Sequence, residues 1–183
     1  MKKTLLALLI ITAAVAMSAC GAKTKAPEGM VALDGENVTF NVFVPKTWTA
    51  ALSGGAVSAY ADDMSNVSVQ TLAVAKDEGG KRLYADVGEF WENGYKVSLE
   101  HTFAKAAYSE TSEYTLAGEK GLKAEYTVIT FDISAKAEKT YKITQIFAEH
   151  GDNFYIITYT AESDKYSAHK NEVDSILANF SFR

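Results

Sequence analysis

Two neighbouring segments in the second half of the chain show the strongest strand pattern. Lys139–His150 and Asn153–Ala161 are rich in β-branched and aromatic residues, and the tight-turn pair Gly151-Asp152 separates them. Successive side chains of a strand point to opposite faces of its sheet. In the first segment Tyr141, Ile143 and Phe147 alternate with Ile146 and Ala148; in the second, Phe154 and Ile156 alternate with Tyr155, Ile157 and Tyr159. Apolar residues on both faces predict central strands of a sheet that is covered on both sides.

Further segments complete the predicted sheet and its covering layers. Alternation and turn residues predict strands at Val38–Val44, ending before Pro45, at Ala56–Ala61 and Asn66–Val74 around residues 62–65, and at Lys105–Leu116 and Leu122–Phe131 around residues 118–121. Arg82–Glu100 and Lys165–Asn179 instead show the i, i+4, i+7 spacing of amphipathic helices. We expect these two helices to cover the sheet.

The first twenty residues have the layout of a secretory signal. Lys2 and Lys3 precede an apolar run that leads to small residues and Cys20. The roughly 16 uncharged residues are fewer than the roughly 20 that a transmembrane helix needs. Residues 17–20 resemble the lipobox of bacterial lipoproteins, in which the chain is cleaved before a cysteine that carries fatty acyl chains such as palmitate; Met17 stands where Leu is usual. A buried core cysteine is the alternative, but it does not explain the basic start.

These features predict a signal peptide over residues 1–19, a lipidated cysteine and flexible linker over residues 20–30, and one domain over residues 31–183. Cleavage leaves 16 of the 18 basic side chains against 23 acidic ones, a net charge of −7. An acidic chain argues against nucleic acid as a partner and against electrostatic attraction to anionic lipid. We therefore expect the lipid on Cys20 to hold the protein to the membrane, outside the cytoplasm.

Several short motifs resemble the PsbP-like superfamily. They are Phe40-x-Val42-x-Val44-Pro45-x-x-Trp48, Asn66-Val67-x-Val69, Gly118-x-x-Gly121-x-x-Ala124-x-Tyr126, Gln145-x-Phe147, Tyr155-x-Ile157-x-Tyr159 and Ile176-Leu177-x-x-Phe180. This superfamily includes the extrinsic photosystem II protein, a nuclear Ran-binding factor and bacterial lipoproteins resembling DcrB. The resemblance implies an α+β fold, an α/β/α sandwich whose mainly antiparallel central sheet has about six to seven strands and helices on both faces. It also implies a non-enzymatic accessory or binding role.

The polar residues do not form a recognisable catalytic or metal-binding motif. His101, His150 and His169 have no short ligand spacing, so we predict solvent-exposed histidines and no metal or cofactor. Asp62-Asp63 is typical of a turn, with a cation site as the alternative. Ser163-Asp164, followed by His169, is better explained as the N-cap of the last helix than as part of a nucleophilic site.

Aromatic side chains are the remaining candidates for binding. The chain has ten Tyr, nine Phe and two Trp. Trp48 follows the first predicted strand, and Trp91 and Tyr95 lie on the first predicted helix, so these three residues could line a groove. The alternative is that they pack the helix onto the sheet.

Two main hypotheses follow from the sequence. The first is a membrane-anchored extracytoplasmic lipoprotein whose non-catalytic domain binds a protein or small ligand at the cell envelope. The second is an envelope enzyme, hydrolase-like, with a site assembled from distant residues. A passive structural protein of the envelope is a third alternative.

Overall fold

The computed structural model describes residues 25–33, 38–53, 56–103 and 105–183. The predicted signal peptide and Cys20 lie outside them. The described strands are β1 (Met30–Leu33), β2 (Phe40–Pro45), β3 (Thr49–Ser53), β4 (Ala56–Tyr60), β5 (Asn66–Ala73), β6 (Ala106–Tyr108), β7 (Ser112–Leu116), β8 (Glu119–Asp132), β9 (Ala137–His150), β10 (Asn153–Glu162) and β11 (Ser181–Phe182). The described helices are α1 (Val87–Phe90), a π-helical segment (Trp91–Tyr95), α2 (Lys96–Thr102) and α3 (Lys170–Ala178).

Eight strands form the main sheet, one more than the upper end of the predicted range. Their order is β3-β4-β5-β10-β9-β8-β6, and β7 also pairs with β8, beside β6. Every strand pair in it is antiparallel. The predicted hairpin is β9 and β10, at the centre of this sheet. The α+β, mainly antiparallel architecture is therefore confirmed.

The two-faced pattern of that hairpin is also confirmed. Ile146 and Ala148 on β9, with Tyr155, Ile157 and Tyr159 on β10, belong to one hydrophobic core. Ile143 and Phe147 on β9, with Phe154 and Ile156 on β10, belong to a second core. Because each strand contributes to both cores, neither strand has a solvent-exposed face. The sequence of each strand is therefore nearly continuously apolar.

Helices cover both faces, as predicted, and a small second sheet shares one of them. The helical run over residues 87–102, here called the composite helix, closes the second core through Phe90 and Trp91. On the first core lie α3, through Val173 and Ile176, and the three-stranded sheet β1-β2-β11. The predicted strand Val38–Val44 corresponds to β2 of this small sheet.

Three short strands have no counterpart among the predicted elements. β1 begins at Met30, β3 has four exposed residues followed by Ser53, and β11 has only two residues. Strands this short contain too few residues for a period of two to stand out. Their pairing is set by tertiary contacts with β2 and β4 rather than by their own pattern.

The prediction of one strand over Lys105–Leu116 is wrong, because the structure has β6 and β7 with a break between them. Tyr108 pairs with Tyr126 and Ser112 pairs with Lys123. Three residues, 109–111, therefore lie opposite two residues of β8, which is the count of a β-bulge. The turn that follows is also tighter than predicted, since Ala117 and Gly118 alone connect the strands, both at positive φ, 49° and 92°. This is the geometry of a two-residue type I′ hairpin.

Both predicted helices differ from the observed ones at their N-terminal ends. The first begins at Val87 rather than Arg82, because the side chain of Asp86 accepts a hydrogen bond from the Glu89 amide and caps the helix. The second begins at Lys170, and residues 163–169 form turns instead. Its N-cap is His169, so the prediction that Ser163-Asp164 caps the last helix is wrong. Within the described ranges, no helix is both long and apolar enough to cross a bilayer.

Candidate functional site

The three aromatic residues singled out from the sequence lie on opposite faces of the main sheet. Trp48 is 6% exposed and belongs to the first core, where its ring meets that of His169 edge to face at 5.5 Å between centroids. Trp91, 2% exposed, and the half-buried Tyr95 pack in the second core. The structure therefore brings Trp91 and Tyr95 together but not Trp48, and this burial favours the packing alternative for all three.

A buried glutamine fixes the composite helix against the sheet. Gln145 is 2% exposed on β9. Its amide nitrogen donates to the Tyr95 hydroxyl at 3.1 Å and to the Thr158 hydroxyl at 3.0 Å, while its carbonyl oxygen accepts from the Tyr126 hydroxyl at 3.0 Å. Burial raises the pKa of Tyr126 far above the ordinary value, so this hydroxyl remains a proton donor. These bonds join the composite helix, β8, β9 and β10 in one network.

One open cleft adjoins this network at the β6 edge of the sheet. Its volume is about 510 Å³. The lining residues are Trp91, Glu92, Lys96, Tyr108 and the bulge, residues 109–111. The cleft lies between the middle of the composite helix, at its π-helical segment and the start of α2, and the break between β6 and β7, where the edge of the sheet is irregular. Aromatic rings, both signs of charge and hydroxyl groups meet there.

The polar groups of the cleft are only partly satisfied. The Lys96 Nζ atom lies 2.9 Å from a Glu92 carboxylate oxygen and 5.5 Å from the centre of the Tyr108 ring. The hydrogen bond to Glu92 raises the pKa of Lys96, so this cation stays charged. The Tyr108 hydroxyl is buried without a hydrogen-bond partner among the described residues, and burial raises the pKa of that hydroxyl. A buried hydroxyl without a partner costs free energy, and such groups are often found at functional sites.

A second polar cluster surrounds His169 on the opposite face. The Nδ1 atom of His169 lies 2.5 Å from a Glu172 oxygen, and its Nε2 atom lies 3.3 Å from an Asp63 oxygen. The other oxygen of Asp63 accepts from the Ser65 amide at 2.9 Å, which confirms the predicted turn role of this aspartate. The His169 side chain is only 16% exposed, so the prediction that all three histidines are solvent-exposed is wrong for this one.

The charge state of His169 follows from its neighbours. Burial lowers the pKa of His169, but the hydrogen bond to Glu172 and the charge of Asp63 outweigh it, and the pKa lies above its ordinary value. When protonated, the ring donates to a carboxylate at each nitrogen. Asp62, Asp63 and His169 offer ligand atoms within 4.8 Å of one another, which is the spacing of a metal site. An imidazolium has no free lone pair for a metal, so this arrangement favours an internal ion pair.

The same geometry argues against nucleophilic catalysis at this cluster. A histidine acts as a general base through a nitrogen that faces the nucleophile. Both His169 nitrogens face carboxylates instead. The nearest hydroxyl of the turn belongs to Ser65, which is 1% exposed and closed to a substrate. This cluster therefore pairs charges between the start of α3 and the β4–β5 turn.

Little in the sequence predicts either the cleft or the His169 cluster. Lys96 and Tyr108 are twelve residues apart in a helix and a strand, and neither belongs to a motif. Glu172 lies three residues after His169, a spacing that brings side chains together on a helix, and this was the one local signal for the ion pair. Asp63 is distant in sequence and meets His169 only through the fold.

Comparison with known proteins confirms the resemblance that the sequence motifs suggested. A family model described as PsbP matches residues 28–182. The fold is similar to the solution structure of cyanobacterial PsbP (CyanoP) from Synechocystis sp. PCC 6803, with 15% identity, a TM-score of 0.58 and coverage of 91% of this chain and 98% of that one. It is also similar to PA94 from Pseudomonas aeruginosa, a protein of unknown function described as a putative regulator, with 11% identity, a TM-score of 0.52 and coverage of 84% and 97%.

A third similar structure is LpqN of Mycobacterium tuberculosis, described as involved in cell envelope biogenesis, with 10% identity, a TM-score of 0.46 and coverage of 83% and 89%. No protein with a curated description matches this sequence. At these identities the two neighbours with TM-scores above 0.5 show the fold alone. The family model, in contrast, spans most of the sequence, and the chain therefore belongs to the PsbP family.

Proposed function

We propose that this protein is an extracytoplasmic lipoprotein, tethered to the cell membrane through Cys20, whose PsbP domain binds a protein partner at the envelope. The lipobox-like residues 17–20 support the tether. The cleft beside Trp91, Lys96 and Tyr108 supports the binding role. The family membership and the internal pairing of His169 favour this proposal over an envelope enzyme.

The shape of the cleft favours a protein over a small molecule. Sites for small ligands usually enclose most of the ligand surface, whereas this cleft opens widely to solvent. It also lies beside β6, a strand at the edge of the main sheet that pairs with β8 on one side. Edge strands offer unpaired backbone groups to an added segment of chain. The Tyr108 hydroxyl without a partner is the single observation that most favours an incomplete site here.

Site-directed photo-crosslinking in the native envelope tests this proposal. A photoreactive residue at Ser109 lies in the cleft and should crosslink to one defined partner. Lys96→Glu reverses the charge beside the two aromatic rings and should reduce the crosslink at least about tenfold, which corresponds to about 1.4 kcal/mol of binding free energy. Lys170→Glu on α3 is the matched control, because that lysine is exposed on the opposite face and should leave the yield unchanged.

Two results would count against the cleft. A crosslink that survives Lys96→Glu would show that capture at residue 109 does not depend on the Lys96 charge. The same crosslinked product from a photoreactive residue at Asp174, on α3, would show that capture does not depend on this surface. Thermal unfolding of each variant must match the wild type for the comparison to be made.

A further inference from the structure

The hairpin of β8 and β9 extends beyond its neighbours in the main sheet. The last residue of β10, Glu162, pairs with Tyr141, and four more β8–β9 pairs lie beyond that point, ending at Asp132 and Ala137. At about 3.4 Å per residue these four pairs project roughly 14 Å past the end of β10. On the other side the Ile129 amide bonds to the carbonyl of Lys105, and β6 runs back from there. Residues 130–137 therefore stand clear of both neighbouring strands.

This projecting tip carries two large apolar side chains in water. Phe131 is 62% exposed and Ile133 is 83% exposed, the highest value for a large apolar residue in the described part of the chain. The polar groups of the tip are satisfied internally, because one oxygen of Asp132 accepts from the amides of Ser134 and Ala135 and from the Ser134 hydroxyl. Lys139 ties the base of the tip to Asp132 at 3.2 Å and to Glu162 at 2.8 Å. The tip is a structured turn that presents apolar groups outward.

The tip lies at the end of the molecule where the N-terminal segment enters the domain. The paired register aligns residues at the near ends of five strands, namely Thr49, Tyr60, Asn66, Thr160 and Ile143. The hairpin tip lies beyond this row. Pro45 lies next to this row, because the Trp48 amide donates to its carbonyl at 3.0 Å just before β3 begins, and Pro45 pairs with Met30 at the start of β1. We call this the entry end.

The face of the main sheet on which Phe131 lies agrees with the placement of the tip at the entry end. On β8, Ala124, Tyr126 and Val128 point into the core beneath the composite helix. Phe131 has the opposite parity, so it belongs to the face that carries β1, β2 and β11. The N-terminal segment and Phe131 therefore share both an end and a face of the main sheet.

We propose that the tip inserts Phe131 and Ile133 into the lipid bilayer that holds the acyl chains of Cys20. This inference rests on the proposed lipid anchor. Five residue steps separate Cys20 from Lys25, and even fully extended they span only about 18 Å, so the tether keeps the entry end within reach of the bilayer. A tether that short gives the tip a high effective concentration at the membrane, and a weak apolar contact then becomes persistent. The lipid and the tip together would fix the orientation of the domain, whereas the lipid alone would leave the domain free to turn.

Lipid photo-crosslinking tests the contact independently of processing in the cell. The chain from Cys20 onward contains every described residue, and its single thiol can be coupled to a maleimide lipid in vesicles of phosphatidylcholine and phosphatidylglycerol. A diazirine-bearing residue at Ala135, exposed at the tip, should form lipid adducts on illumination. The same probe at Glu78, in the loop at the opposite end, is the control and should form at least about tenfold fewer adducts.

A variant of the tip separates insertion from proximity. Phe131→Asp with Ile133→Asp should lower the adduct yield at residue 135 at least about fivefold, and because both side chains are exposed the melting temperature should stay unchanged. Equal yields at residues 135 and 78, or yields unaffected by the two aspartates, would overturn the inference. So would capture of a protein instead of lipid by the residue 135 probe in native envelopes. A failure of lipidation at Cys20 in cells would instead appear as absent fatty-acid labelling.

Discussion

Tertiary contacts constrain single residues in this fold, and the sequence predicts some of these contacts better than others. Gly121, part of a motif shared with the family, lies opposite Ala148, and a Cβ atom there would lie 2.2 Å from the carbonyl oxygen of Phe147. The sequence shows a glycine at this position, but it does not show why glycine is needed. The close approach involves a strand more than twenty residues away. His169 is the opposite case, since nothing in its local sequence except Glu172 indicated a buried ion pair.

We predict that Gly121→Ala destabilises the protein by about 1–3 kcal/mol, the usual cost of forcing extra volume into a packed site. The lower backbone entropy of alanine in a strand would favour the variant by only about 0.5–1 kcal/mol, so the clash should win. Urea unfolding measures the difference. Gly79→Ala is the control, because that glycine is exposed with an ordinary φ and only a flexible aspartate side chain nearby. Equal stabilities of the two variants would contradict the prediction.

The His169 ion pair should make stability depend on pH in a defined direction. A folded-state pKa above the unfolded value adds stability that is fully present below about pH 6.5 and is lost as pH rises through the folded pKa. We therefore expect His169→Gln, which is neutral throughout, to destabilise the protein by about 1 kcal/mol more at pH 6 than at pH 9.

Urea unfolding at both pH values measures this difference. His101→Gln, at an exposed histidine on α2, is the control for replacing an imidazole by an amide. A destabilisation by His169→Gln that is constant or that grows with rising pH would contradict the charge state assigned to the ring.

At the scale of elements, period and composition predicted the hairpin of β9 and β10, β4, β5, β8 and the existence of both covering helices. The boundaries depended on specific side chains. Asp86 begins the composite helix and His169 precedes α3, and only the first is a residue type that commonly caps a helix. The π-helical segment Trp91–Tyr95 had no local signal, and both of its aromatic residues pack in the second core.

The Gln145 network should contribute measurably to the docking of the composite helix. Gln145→Leu removes partners from Tyr95, Tyr126 and Thr158, and each buried group left unsatisfied costs about 1–3 kcal/mol. We expect a total loss of at least about 2 kcal/mol in urea unfolding. Gln70→Leu on β5 is the matched control, because that glutamine is exposed, and it should change stability by less than about 0.5 kcal/mol. If Gln145→Leu lost no more stability than Gln70→Leu, the network would be dispensable.

At the scale of the whole molecule, the fold and the family could be predicted from core and turn motifs, because those positions build the sheet that all members share. The cleft could not, since it forms between the middle of the composite helix and the break between β6 and β7, which only the fold brings together. The projecting tip could not either, because the strand pattern does not show that β8 and β9 are longer than their neighbours. Both proposed contact surfaces therefore lie where tertiary arrangement, rather than local sequence, decides the surface.

The lipid anchor on Cys20 is the central claim, because both the envelope location and the orientation of the domain depend on it. Bacteria producing the protein can be fed an alkyne-bearing fatty acid, and the protein can then be isolated and its label detected. We predict strong label on the wild type and none on Cys20→Ser, with both proteins present in similar amounts on an immunoblot. An unlabelled wild type, or label that persists on Cys20→Ser, would contradict the account.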